Sequence, residues 1–345
     1  MQPDLSAPQQ DWHFENAATH IPAAWHAPLG TIVAAILAIG IVMSREWGEM
    51  FHQWWNIDTY THILLVPVII FWLVWVQRRE LAQAVPKPYL PGLGLVLAAI
   101  GLWLAGRYTG INLLAHAGAV GAMQGVVVAV LGVRVSVLLA LPIVFAAFLV
   151  PFGDELIPAL QMVTAKIAIA LTHASGIPAI VDGIYIETPI GLFIVAEACS
   201  GVKFLIAMVT LAVLVCFTRF ESWSRRIGFM AAAIIIPIIA NGVRAWGTIF
   251  IAQSQGVEFA AGFDHIFYGW IFFALVVAVL LAGAWQFFER EPEEYGWRLH
   301  ELQDWQWLAR IEMRAPTAAA MGGALAAIIL AAALMAIIVA PAGAG

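Results

Sequence analysis

"VAEACSGVKFLIAMVTLAVLVCFTR", Val195 to Arg219, begins polar, carries one of the chain's two cysteines between Glu197 and Lys203, and then runs apolar until it stops on an arginine. A helix rises 1.5 Å per residue, so a run of this kind is long enough to cross most of the roughly 30 Å of bilayer hydrocarbon. The rest of the chain agrees with that reading. Of 345 residues, 62% are apolar and only 11% are charged, against roughly 25% charged in a soluble globular chain. The expected class is an all-α polytopic membrane protein.

Apolar runs fall near 28–43, 61–76, 91–106, 111–131, 135–150, 200–218, 227–251, 266–288 and 317–340. Several are short, so eight to nine transmembrane helices are expected. The organisation is then a cytoplasmic N-terminal segment (1–27), a transmembrane catalytic domain (28–288), a cytoplasmic linker (289–316), and a final transmembrane helix with the C-terminal end (317–345). The first 27 residues lack a basic segment leading into a cleavable core, so no signal peptide is expected. In a nine-span arrangement Arg78, Arg79, Lys87, Arg134, Arg219, Arg225, Arg226, Arg290, Arg298, Arg310 and Arg314 share one side, and only Arg45, Arg107 and Lys166 face the other. The positive-inside rule puts the first side, and the N-terminus, in the cytoplasm.

Other classes are disfavoured. The net charge of -6 comes with no basic block, so nucleic acid is not an expected partner. Cys199 and Cys216 are too few for a disulfide framework, and on one helix they would stand about 25 Å apart. No Cys/His spacing suits zinc, and His-Glu-x-x-His, paired intramembrane Asp and Gly-x-Ser-x-Gly are missing from the sequence, so neither metal nor other cofactor is expected.

The longest interval expected not to span is 151–198. "DELIPALQMVTAKIAIALTHASG" has apolar residues at helical spacing interrupted by Gln161, Lys166 and His173. It reads as an amphipathic helix at the outer interface, with a half-buried span as the alternative. "VDGIYIETPIGLFIVAEA" is β-rich and broken by Gly183, Pro189 and Gly191, which predicts a short hairpin leading into Cys199.

This topology brings three side chains to one membrane level. Cys199 opens its span at the outer end. Arg244 lies about 17 residues, roughly 25 Å, along the following span. His265, preceded by Asp264, begins the next one. A cysteine attacks as thiolate, which forms more readily at a helix N-terminus or beside a cation, and Cys199 has the helix start with Lys203 four residues on. His265 is the natural base for the thiol and acid for a leaving amine. Arg244 suits a developing oxyanion or the substrate backbone, because its donors stay charged in a poor dielectric. Glu197, Asn241, Asp264 and Tyr268 are candidate supports: Glu197 to orient Lys203 or Arg244, Asp264 to fix the His265 tautomer.

Plain structural roles compete with each of these. A cysteine at a helix start is commonly a small packing residue, as Cys216 is read to be. An interfacial His or Asp is commonly a cap, and Lys203 and Glu197 can simply pair. Arg244 is harder to dismiss, since an arginine between "IIIPIIANGV" and "AWGTIF" is costly to keep in a membrane. A transporter or lipid-binding protein holding an anionic group with Arg244, Lys203 and His265 is therefore the main alternative to a cysteine acyl-transfer enzyme. An assembly partner of a polysaccharide exporter is a further one.

"EACSG" (197–201), "ANGVRAW" (240–246) and "GFDHIFYGWIFF" (262–273), in that order on successive spans, resemble the exosortase family, and in detail its exosortase A-like members. "DTYTHILLVPVIIFWLVWVQRREL" (58–81) resembles the same family's first recognisable block. The resemblance implies a bacterial inner-membrane cysteine protease or transpeptidase. Its implied partners are membrane-anchored proteins bearing a C-terminal PEP-CTERM sorting signal (a Pro-Glu-Pro motif, a transmembrane helix and a basic tail), the lipid bilayer, and an acceptor nucleophile of unknown identity. It implies Cys199 as nucleophile with Arg244 and His265, thioester chemistry at the periplasmic face, and a link to exopolysaccharide export. Lys203 stands where Arg is also common in the family. Exosortase A-like members often carry a periplasmic domain after the last span; with the sequence ending in "APAGAG", the expectation is that such a domain is either absent or has been removed.

Overall fold

The computed structural model describes residues 21–256 and 269–338. By internal contacts the chain forms two compact units. The first comprises residues 1–52, 65–150 and 296–345, the second residues 53–64 and 151–295. Among the described residues seven helices are long and apolar enough to cross a membrane, or eight if the bent pair Ser44–Asn56 and Thr61–Val76 counts as one broken span; Ala140–Leu149 and Ile271–Trp285 are shorter apolar helices. The all-α polytopic class therefore holds.

In the first unit, α1 (Ala23–Val42) is followed by α2 (Ser44–Asn56), α3 (Val66–Val76), α4 (Arg78–Gln83), α5 (Gly92–Thr109), α6 (Asn112–Leu138) and the short α7 (Ala140–Phe145). The α5–α6 pair is its most closely packed part, and small residues are the cause. Gly92 faces Ala129, Gly125 faces Val96, Gly118 faces Trp103 and Gly106 faces Ala115, an antiparallel register with no room for larger side chains. At Gly92 an added Cβ would lie 2.6 Å from the Ala129 Cα. Close backbone approach of this kind maximises dispersion contact where lipid offers no hydrophobic driving force. Within α6 two helical segments meet at a kink at Gly132 (φ 77°), close to where the sequence divides its apolar runs, and α7 and a 3-10 turn follow. At the break the extended segment before α5 lies against α6, with Lys87 N–H donating to Leu131 O (3.2 Å) and Tyr89 N–H to Ala129 O (2.8 Å).

The stretch expected as a plain linker is structured. It contains α12 (Leu299–Gln303) and α13 (Gln306–Glu312), before α14 (Ala318–Ile338); α8 to α11 belong to the second unit. Glu312 accepts from Lys87 Nζ (2.9 Å) and Arg134 Nε (2.7 Å). Glu80 accepts from the Leu299 N–H at 2.8 Å. These bonds tie three basic or acidic loops together.

The second unit holds α8 (Ile157–Ala174), three strands, α9 (Val202–Arg219), α10 (Trp223–Gln255) and α11 (Gly269–Trp285). The expected hairpin is a three-stranded antiparallel meander in the order β1 (Ile180–Asp182), β2 (Tyr185–Thr188), β3 (Gly191–Ile194). Its register pairs Ile180 with Glu187, and Ile186 with Phe193. Ile186 and Val195 turn inward onto Ala165 and Ala168 of α8 and Ile249 of α10. With its preceding turn α8, Asp154–Ala174, is long and apolar enough to cross a membrane, which fits the half-buried span expected as the alternative to an interfacial helix. It runs alongside α10, with Ile167 against Gly242 and the Trp246 indole donating to Ser175 Oγ at 2.9 Å.

At the Arg219 end of α9, a second apolar cluster of Met208, Val215, Phe220, Phe229 and Leu280 is closed by charged groups. Glu289 accepts from the Glu221 and Ser222 amides at 2.6 and 2.9 Å, capping the start of α10. Those backbone N–H groups hold its carboxyl below the usual carboxylate range. Arg219, Arg225, Arg226 and Arg290 gather here, with Arg219 on Glu291 (2.9 Å) and Arg226 on the Phe220 carbonyl (2.8 Å).

Candidate active site

Cys199 closes a 3-10 turn, Glu197–Cys199, three residues ahead of α9. Its own N–H donates to Ala196 O at 2.8 Å. Ser200 follows, with its Oγ accepting from the Val202 N–H at 3.3 Å, so a buried hydroxyl serves the first orphan amide of the helix. Gly201 then enters the left-handed region (φ 82°) and turns the chain into α9. Only glycine fits there, since a Cβ would fall 2.7 Å from Asn241 Cγ.

One buried side chain fixes this turn. Asn241 Nδ2 donates to the Cys199 carbonyl oxygen at 2.8 Å and lies 3.0 Å from Thr164 Oγ1. Thr164 Oγ1 lies 3.4 Å from the Ser200 carbonyl oxygen. Thr164, Ser200 and Asn241 are each at most 4% exposed, so these bonds form where an unmet polar group is costly. The turn is also held from its entry side, where Gln161 Nε2 donates to Val195 O at 2.8 Å. Thr164 and Gln161 carry no distinguishing signal in the sequence. They stand in an apolar helical stretch where such residues are ordinary, and only the fold brings them to the Cys199 turn.

Arg244 stands three residues beyond Asn241 on α10 and is 9% exposed. It lines the same pocket as Cys199, a recess of about 70 Å³ whose other walls include Asn241, Thr248, Phe193 and Ile194. Cys199 and Arg244 therefore share one recess. The Arg244 guanidinium also lies 5.9 Å from the centre of the Phe204 ring, and the Lys203 ammonium 5.1 Å from it, within cation–π range. Phe204 in turn stacks on Phe273 of α11 at 4.7 Å.

Lys203 and Glu197 sit differently from expectation. Glu197 is exposed, and among the described residues no ion pair joins it to Lys203. Lys203 is the second residue of α9 and is not among the described residues that line the Cys199 pocket. The turn at Ser200–Gly201 sends the chain on from Cys199 before the lysine, so proximity in sequence does not become proximity in the recess. Asp264, His265 and Tyr268 lie outside the described residues. Among the described residues no group of three His, Cys, Asp or Glu side chains is arranged to hold a metal ion.

A polytopic α-helical membrane protein with a thiol and a buried arginine in one recess is the class this geometry defines. The sequence model of the transmembrane exosortase family (Exosortase_EpsH) matches residues 54–282. The chain belongs to that family, and so to a group of membrane peptidases and transpeptidases. No curated protein and no solved structure matches it.

Proposed function

We propose that the protein is a membrane-embedded cysteine protease and transpeptidase that removes C-terminal PEP-CTERM-type sorting signals from membrane-anchored proteins. The observation that carries this reading is the shared pocket of Cys199 and Arg244, with the Cys199 turn locked by Asn241. Family membership supports the reaction class.

In the proposed reaction the Cys199 thiolate attacks the scissile carbonyl carbon, forming the S–C bond as the C=O electron pair moves to oxygen. Arg244 stabilises that oxyanion through its charged donors. Collapse breaks the C–N bond and releases the tail, whose amine takes up a proton, leaving the upstream protein as a thioester on Cys199. Water or an acceptor nucleophile then attacks the thioester and frees the thiol. His265 is assigned the proton transfers on chemical grounds. Asn241 holds the Cys199 carbonyl and, through it, the path of the turn.

The same reading places the protein in a bacterial inner membrane, N-terminus in the cytoplasm and Cys199 at the periplasmic face, because the basic residues of the sequence segregate by side. A substrate helix anchored by a basic tail in the cytoplasm would deliver its motif at that face. The sorting step is assigned to exopolysaccharide export. Co-expression with a reporter carrying such a tail tests the reading: tail removal that is lost in Cys199→Ala and in Arg244→Ala supports it. A transporter or lipid-binding protein would tolerate Cys199→Ala and lose function only with the arginine.

A further inference from the structure

We infer that the outer edge of β3 is the substrate-positioning strand of this site, taking an extended segment of the polypeptide substrate as a fourth strand of the sheet. The inference rests on the proposed function and adds how the substrate is held.

β3 is an edge strand, since the order of the sheet is β1-β2-β3. The Val195 N–H donates to Ile184 O at 3.0 Å, which identifies Ile184 and Val195 as a hydrogen-bonded pair. Antiparallel pairs alternate, so in the observed register Phe193 and Gly191 also direct their amides at β2. Leu192 and Ile194 then direct theirs outward. The Ile194 carbonyl is taken by the Ala196 N–H at 2.9 Å. Three backbone groups remain for an incoming chain: the Leu192 N–H, the Leu192 C=O and the Ile194 N–H. No described segment pairs with them.

Natural edge strands are usually blunted by charge, proline, a bulge or a covering segment. Gly191-Leu192-Phe193-Ile194 has no charge and no proline, and Leu192 and Ile194 are 57% and 51% exposed. This edge runs directly into the reaction pocket. Phe193, Ile194 and Val195 line the recess that holds Cys199 and Arg244. A peptide paired along β3 gains register from main-chain hydrogen bonds and has its continuation led to the thiol. The opposite edge, β1, has none of its residues in that recess.

The test uses the full-length protein in lipid nanodiscs and a membrane-anchored reporter ending in a Pro-Glu-Pro segment, a transmembrane helix and a basic tail. Leu192→Pro removes an outward N–H and leaves the β2 pairing intact, while Leu192→Ala keeps the N–H and removes only side chain. We expect Leu192→Pro to lower the processing rate at limiting reporter by roughly three- to ten-fold, the range of one net hydrogen bond. Leu192→Ala is the reference for loss of the side chain, against which the further fall in Leu192→Pro is read, and alkylation of Cys199 by a small maleimide should be the same in both. Wild-type processing by Leu192→Pro overturns the inference. If that variant has altered Cys199 alkylation, amide hydrogen exchange on Cys199→Ala decides instead. Added reporter should slow exchange at Leu192 and Ile194 beyond any change at Phe193, and an unchanged exchange rate at both overturns the inference. Unimpaired processing by Cys199→Ala would instead defeat the cysteine mechanism, so the two failures are distinguishable.

Discussion

The side-chain amide of Asn241, midway along α10, donates to the main-chain carbonyl of Cys199 at 2.8 Å. The nucleophile's turn is thus suspended from a helix 42 positions away in sequence, and that same helix presents Arg244 one turn further on. One rigid element sets the thiol's backbone and the guanidinium together, which is the kind of support a pre-organised site requires.

Removing the suspension has a defined cost. Asn241→Ala leaves the part-buried Cys199 carbonyl without this donor, a penalty of about 1–3 kcal/mol. Reporter processing should fall by ten-fold or more while the protein still reaches the membrane. Size-exclusion profile and processing rate, measured on the same preparation, check both halves.

Gly201→Ala should be worse than its size suggests. It forces a Cβ into a left-handed residue at φ 82° and against the Asn241 side chain, at about 1–3 kcal/mol for the backbone alone. Loss of processing is expected together with faster, less selective alkylation of Cys199, because the turn is released. Serial maleimide labelling reads this directly.

Arg244→Lys separates charge from shape. Lysine keeps the positive charge and loses the planar fork of donors. If Arg244 stabilises an oxyanion, Arg244→Lys should process roughly ten-fold or more slowly and Arg244→Ala roughly a hundred-fold or more, the range found for oxyanion donors elsewhere. Single-turnover cleavage of the reporter measures both.

Acid sensitivity is expected in the first unit. Burial pushes the Glu312 carboxyl upward, but hydrogen bonds from Arg134 and Lys87 outweigh it, and the group titrates below its ordinary value. A depressed folded value means its contribution is complete above the unfolded value of roughly 4.3 and is lost as pH falls through the folded one. Glu312→Gln should therefore lower Tm at neutral pH and flatten the decline of Tm with acidification below about pH 5. Thermal melts of both proteins from pH 7 to pH 3 give the comparison.

Much of this was readable from residue types. The apolar runs and the arginine stops at Arg78–Arg79, Arg219 and Arg290 gave the membrane class. An arginine too costly to be incidental, set between apolar runs, pointed to Arg244. Two kinds of feature were not readable. Periodicity alone left α8 open between an interfacial helix and a half-buried span, and the kink that Gly132 puts in α6 shows only in the backbone. Polar support for Cys199 comes from Thr164 and Gln161, which become partners only when α8 lies beside α10.

The most direct measurement is intact-mass analysis of the reporter after incubation with wild type and Cys199→Ala in nanodiscs, with and without a hydroxylamine quench. Wild type should yield tail-free reporter and, in samples acid-quenched without hydroxylamine, an adduct equal in mass to enzyme plus tail-free reporter less one water, which hydroxylamine releases as the reporter hydroxamate; Cys199→Ala should yield none of these. Equal tail loss with both proteins, or cleavage by wild type through no thiol-linked intermediate even in single turnover, would contradict the assignment of Cys199 as the nucleophile.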